Sequence, residues 1–206
     1  VFRATDGLHE KFGTDRVFDT PLAEAMIAGH AVGMAIQGFR PVAEIQFMGF
    51  IYPTIDQMLN HAARFRNRTR GRFTCPMVLR APFGGGIHAP EHHSESTEAL
   101  FAHMPGLRVV IPSTPQQAYG LLLASIWDPD PVVFLEPKRI YRAPKEQIDD
   151  DGKALPLDKC FFLKEGSDVT FVTWGAMTVE VLEAAMLLES EGISAEVITP
   201  GTIKPM

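Results

Sequence analysis

Short apolar runs alternate with helix-patterned segments along most of this chain, and that alternation restricts its fold more than any other feature. Strands are expected over residues 16–18, 41–47, 76–80, 107–111 and 131–135. Helical periodicity occupies residues 54–67, 95–103 and 115–127. A further helix is expected from Pro21 to about Gln37, with Thr20 as its N-cap and Gly38 as its stop. The runs Val109-Val110-Ile111 and Val132-Val133-Phe134-Leu135 lack the polar alternation of half-exposed strands and suit strands buried on both faces. The expected class is α/β, with a mainly parallel sheet flanked by helices.

The pattern changes beyond Leu135, where Pro, Lys and Asp accumulate and Asp149-Asp150-Asp151 forms an acidic run. The expected division is a first domain over 1–142, a linker over 143–160, and the start of a second α/β domain over 161–206. In that last part a strand at 168–173, a helix at 177–192 and a strand at 194–198 are expected. One such unit is too small to bury a core alone, so the rest of a C-terminal domain is expected beyond Met206.

The net charge of −6 argues against a dedicated nucleic-acid binder, and no apolar run is long enough to span a membrane as a helix. Arg64, Arg66, Arg68, Arg70 and Arg72 are a local exception, read as the solvated end of a helix. Cys75 and Cys160 form neither a disulfide framework nor a cysteine zinc motif.

Three segments carry candidate chemistry. In Asp19-Thr20-Pro21-Leu22-Ala23-Glu24, Glu24 falls in the first turn of a helix, where a carboxylate also simply favours the helix dipole. That helix continues with Gly29 and Gly33, each costing on the order of 1 kcal/mol relative to Ala, on one face that permits close packing. The segment Ala43-Glu44-Ile45-Gln46-Phe47-Met48-Gly49-Phe50 reads as a strand leaving its sheet with a core aromatic. The loop from Gly84 to Ser96 holds His88, His92 and His93 behind three glycines. A zinc site from His88, Glu91, His92, His93 and Glu95 is the rival reading of this loop, but Pro90 breaks the helix that His88/His92 spacing would need, and His-Glu-x-x-His is absent.

Glu24, four residues, Gly29, three residues, Gly33 is similar to the motif of the pyrimidine-binding domain in thiamine-diphosphate enzymes. With the Asp-Thr-Pro lead-in, the chain resembles beta subunits of thiamine-diphosphate-dependent 2-oxo acid dehydrogenases. His30 departs from the apolar residue usual in that motif. The stretch Phe134-Leu135-Glu136-Pro137-Lys138-Arg139-Ile140-Tyr141-Arg142 looks more like the branched-chain type than the pyruvate type.

The resemblance implies that Glu24 hydrogen-bonds the aminopyrimidine ring nitrogen and thereby controls its protonation. It implies that Phe50 stacks on the ring, that Gln46 and Leu22 lie beside it, and that His93 serves the substrate adduct and acyl transfer. Gly-Asp-Gly, which holds magnesium and the diphosphate in these enzymes, is absent, as in split enzymes where the alpha subunit carries it. The implied assembly is an α2β2 heterotetramer that decarboxylates a 2-oxo acid and acylates lipoyl groups of an acyltransferase core. Pyruvate and acetoin dehydrogenase beta subunits, and a non-catalytic scaffold, are the alternatives. A structural potassium ion near Ser125, Asp128 and Asp130 is also implied. The implied location is the cytoplasm in a bacterium or the mitochondrial matrix in a eukaryote.

Overall fold

The computed structural model describes residues 3–143 and 145–205. Pro144 of the expected linker and Met206 at the chain end lie outside the described residues. Among the described residues two sheets organise the fold. The larger has the order β1-β2-β4-β3-β8, built from β1 (Val42–Glu44), β2 (Val78–Phe83), β3 (Arg108–Val110), β4 (Val132–Pro137) and β8 (Thr202–Lys204). Its first four strands are parallel and β8 runs antiparallel beside β3. The smaller sheet, β5-β7-β6, is formed by β5 (Cys160–Lys164), β6 (Val169–Val172) and β7 (Ala195–Pro200).

The uninterrupted apolar runs behave as their composition demands. Every residue of β2 is buried, and alternate side chains serve opposite cores. Leu79, Ala81, Val133 and Leu135 face one core with Ile45, Met58 and Phe101, whereas Val78, Val132 and Phe134 face another with Leu121. Leu121 belongs to α5 (Pro115–Trp127), which starts as expected: the Thr114 hydroxyl accepts from Gln117 N at 3.1 Å and Pro115 occupies the first turn.

Several expectations need correction. Residues 16–18 form no strand. α1 (Leu8–Phe12) was not expected, and neither were β5 and β8. α2 spans Glu24–Ile36 and begins later than Pro21; the Thr20 hydroxyl donates to Pro21 O at 3.1 Å and caps no helix. Glu24 is therefore the first residue of α2. The helix ends as foreseen, with Gly38 at φ +96° and Phe39 N donating to Met34 O at 3.1 Å. The expected helix over 54–67 is wider than an α-helix over Gln57–Ala62, a π segment, before α3 (Ala63–Arg68).

α4 (Glu98–His103) and α6 (Thr178–Ser190) complete the α-helices among the described residues. Residues of the expected linker dock on α5: Leu155 N donates to Gly120 O at 3.0 Å, and Tyr119 bonds Asp150 at 2.8 Å. Among the described residues no helix is long and apolar enough to cross a membrane.

Candidate active site

Ligands of open parallel sheets gather beyond the carboxyl ends of the strands, because chain direction brings the connecting loops together there. Phe47 and Phe50 follow β1, the histidine loop follows β2, and Lys138 follows β4. α2 packs against β1 and returns into it through residues 37–41, so the helix runs opposite to the strand. The N-terminus of α2, where Glu24 is the first residue, consequently lies toward the same end of the sheet.

At that end four rings converge. The His93 ring lies 4.6 Å from Phe47 and 5.6 Å from Phe50, edge-on to the latter. His92 stacks on Phe50 at 5.7 Å with an interplanar angle of 26°. Gly49 makes this approach possible: a Cβ there would stand 2.2 Å from the His92 carbonyl oxygen. His93 Nδ1 is buried and has no hydrogen-bond partner among the described residues. Lys138 donates to the His93 carbonyl and lies 5.4 Å from the Phe47 ring centroid.

The sheet behind this cluster contains a charge network that the sequence reading missed. Arg80 Nε and Nη2 bond the two oxygens of Glu136 at 2.6 and 3.0 Å, and Nη1 bonds Glu44 at 2.8 Å. The Tyr141 hydroxyl donates to Glu136 as well. Burial together with the neighbouring Glu136 carboxylate pushes the Tyr141 phenol far above its ordinary range. Charged residues inside the otherwise apolar strands β2 and β4 were the available signal.

Among the residues singled out from sequence, Phe50 and His93 meet in one cluster. Glu24 is partly buried, and among the described residues it makes no hydrogen bond or ion pair. Gln46 is exposed, and Leu22 is 83% exposed, so neither is held by the cluster. A partly buried aromatic face and an uncommitted carboxylate at the same end of the sheet fit an aminopyrimidine ring.

The alkali-cation set does not fit. Ser125 Oγ donates to Leu121 O at 2.7 Å within α5. Asp128 pairs with Arg108 at 2.9 Å, and Asp130 pairs with Arg66 at 2.7 Å. Arg40 Nη1 donates to the carbonyls of Ile126 and Asp128, at 2.7 and 3.1 Å. Guanidinium groups thus occupy one carboxylate oxygen of Asp128 and one of Asp130, and the Ser125 hydroxyl is committed within α5. Among the described residues no group of three or more His, Cys, Asp or Glu side chains is arranged for a metal.

A cleft of about 350 Å³ adjoins the histidine loop, lined in part by Phe83, Gly86, Lys138, Arg139, Trp174 and Met177. Its far wall comes from the chain after β6, fastened by an ion pair between Arg139 and Glu180.

Residues 1–144 match the family described as transketolase, pyrimidine binding domain, and residues 158–206 match transketolase, C-terminal domain. The whole chain is 59% identical to the pyruvate dehydrogenase E1 component subunit beta of Acholeplasma laidlawii, covering 63% of that protein. It is 51% identical to the pyruvate dehydrogenase E1 component subunit beta of Bacillus subtilis and 48% identical to the 2-oxoisovalerate dehydrogenase subunit beta of that organism, again covering 63% of each. The chain therefore spans less than two thirds of these relatives' length. A solved split-gene transketolase, described as an inactive beta4 tetramer, superposes with a TM-score of 0.76 at 25% identity, over 98% of this chain and 63% of that one. With the family profile covering more than half of its residues, the chain belongs to the transketolase pyrimidine-binding-domain family.

Proposed function

We propose that this chain provides the pyrimidine-binding half of a thiamine-diphosphate-dependent 2-oxo acid dehydrogenase, as part of a beta subunit acting with an alpha subunit in an α2β2 assembly. The observation that carries the reading is Glu24, an uncommitted carboxylate opening α2 at the end of the sheet where Phe50 and His93 gather. Strong similarity to 2-oxo acid dehydrogenase beta subunits supports it. Thiamine diphosphate, when bound, supplies the electron sink for decarboxylation.

Glu24 would hold a proton at the aminopyrimidine ring nitrogen, and Phe50 would offer the ring a flat face, with Leu22 and Gln46 at its edges. His93 would hold or release a proton beside the substrate during transfer to a lipoyl group of an acyltransferase partner. Magnesium and the diphosphate are assigned to the alpha subunit, since this chain has no Gly-Asp-Gly. The division into residues 1–142, 143–160 and 161–206, and a cytoplasmic or mitochondrial-matrix location, belong to the same proposal.

Pyruvate is the preferred substrate in this reading, because the relatives at 59% and 51% identity are pyruvate dehydrogenase subunits. A branched-chain 2-oxo acid is the second reading, supported by the 48% identical 2-oxoisovalerate dehydrogenase subunit and by the sequence of residues 134–142.

The test is Glu24→Gln in the full-length protein assembled with its alpha subunit. The amide keeps the size but cannot hold the acidic proton. Exchange of the cofactor's thiazolium C2 proton, followed by NMR after acid quench, is expected to slow by roughly 10²-fold or more. Wild-type exchange in the variant, with cofactor bound, would return Glu24 to a helix-dipole role. A panel of 2-oxo acids on the same assembly decides the substrate.

A further inference from the structure

Lys138 is the first residue after β4 and is only 3% exposed. An ammonium at such depth ordinarily has a carboxylate partner, because burying an isolated charge is strongly unfavourable. Among the described residues no carboxylate pairs with Lys138. Burial pulls its pKa below the usual lysine value. The ammonium is instead committed to the backbone carbonyl of His93 and to the face of Phe47.

Both of those contacts bear on one imidazole. The carbonyl belongs to His93 itself, and Phe47 is the ring nearest to it, at 4.6 Å. The loop between β2 and α4 carries glycines at 84, 85 and 86, so its own backbone offers little stiffness. Close packing of His92 on Gly49 fixes the neighbouring residue but does not fix the His93 ring. The geometry points to Lys138 as the positioning residue for His93: its buried ammonium fastens the histidine's backbone to the end of β4, while the buried Nδ1 of the ring has no partner among the described residues. This rests on the functional reading above for its consequence in catalysis, though not for the tie itself.

The experiment uses the full-length protein with Lys138→Met, which keeps bulk and removes both the charge and the donor. Lys138→Gln, which keeps a donor, is the second variant in case the first does not fold. Amide hydrogen exchange over residues 91–94 is expected to accelerate about tenfold or more in Lys138→Met, as for loss of a hydrogen bond to a charged group, while β2 and β4 stay protected. In the assembly with alpha, acyl transfer is expected to fall more than decarboxylation measured with an artificial electron acceptor. The double variant Lys138→Met/His93→Ala is expected to be no slower than His93→Ala alone, because the lysine acts through the histidine. Unchanged exchange in the folded variant, or fully additive losses in the double variant, would overturn the inference. If the wild-type assembly performs neither reaction, the functional reading fails, and the exchange result still decides whether Lys138 holds the loop.

Discussion

Arg80 bonds Glu44 and Glu136 from within a strand whose other members pack into the apolar cores, and its own exposure is 7%. Replacing it leaves two poorly solvated carboxylates facing one another. Arg80→Met is therefore expected to destabilise the protein by about 3–5 kcal/mol, read from chemical denaturation. Adding Glu136→Gln should recover part of that loss, and a denaturation midpoint unchanged by Arg80→Met would show the network to be dispensable. The network also marks the limit of reading single residues from sequence. Glu24, Phe50 and His93 stood out because each sits in a distinctive local string. Phe47 and Lys138 sit in such strings and Arg80 in none, yet none of the three stood out, since their partners lie far along the chain: Arg80 meets Glu136 across a separation of 56 residues and Lys138 meets His93 across 45. Parallel strand pairing creates those meetings, and no local pattern encodes them.

α2 was legible as an element because its period, its small residues and Gly38 agree, whereas its start was misplaced. Thr20-Pro21 carries the usual opening chemistry, but the Thr20 hydroxyl turns to Pro21 O and the helix waits until Glu24. β5 and β8 escaped notice because each exists by pairing with distant β7 or β3. The two glycines of α2 also prove unequal. A Cβ on Gly29 would approach Gln57 Oε1 to 3.2 Å, so its neighbour belongs to this chain. A Cβ on Gly33 would meet nothing within 4 Å. Gly33→Leu is thus expected to leave the fold intact, and to stabilise the helix by up to about 1 kcal/mol through propensity. If the open face of α2 meets another subunit, the same variant should lower the heterotetramer fraction in sedimentation of the reconstituted complex. Undiminished assembly would place the interface elsewhere.

At the scale of the molecule, the region after residue 158 is tied into the first sheet, a linkage absent from the expectation of serial domains. β8 adds to the edge at β3, and Lys204 Nζ donates to Met104 O at 3.0 Å. Inside this junction Ser113, buried just before α5, shares a hydrogen bond with Thr199 Oγ1 at 2.9 Å and accepts from Gly175 N at 2.8 Å. One hydroxyl therefore joins the end of the larger sheet to β7 and to the turn before α6. Ser113→Ala keeps the backbone and removes that oxygen, leaving the Gly175 N–H and the fully buried Thr199 hydroxyl each short of a partner. The expected loss is about 1–3 kcal/mol, with the unsatisfied groups weighing more than the deleted bond. Because the lost contacts lie on both sides of the junction, hydrogen exchange in the full-length variant should accelerate in β3, β8 and residues 175–178 together. Acceleration confined to residues after 158 would mean that the two regions open independently and that Ser113 does not couple them.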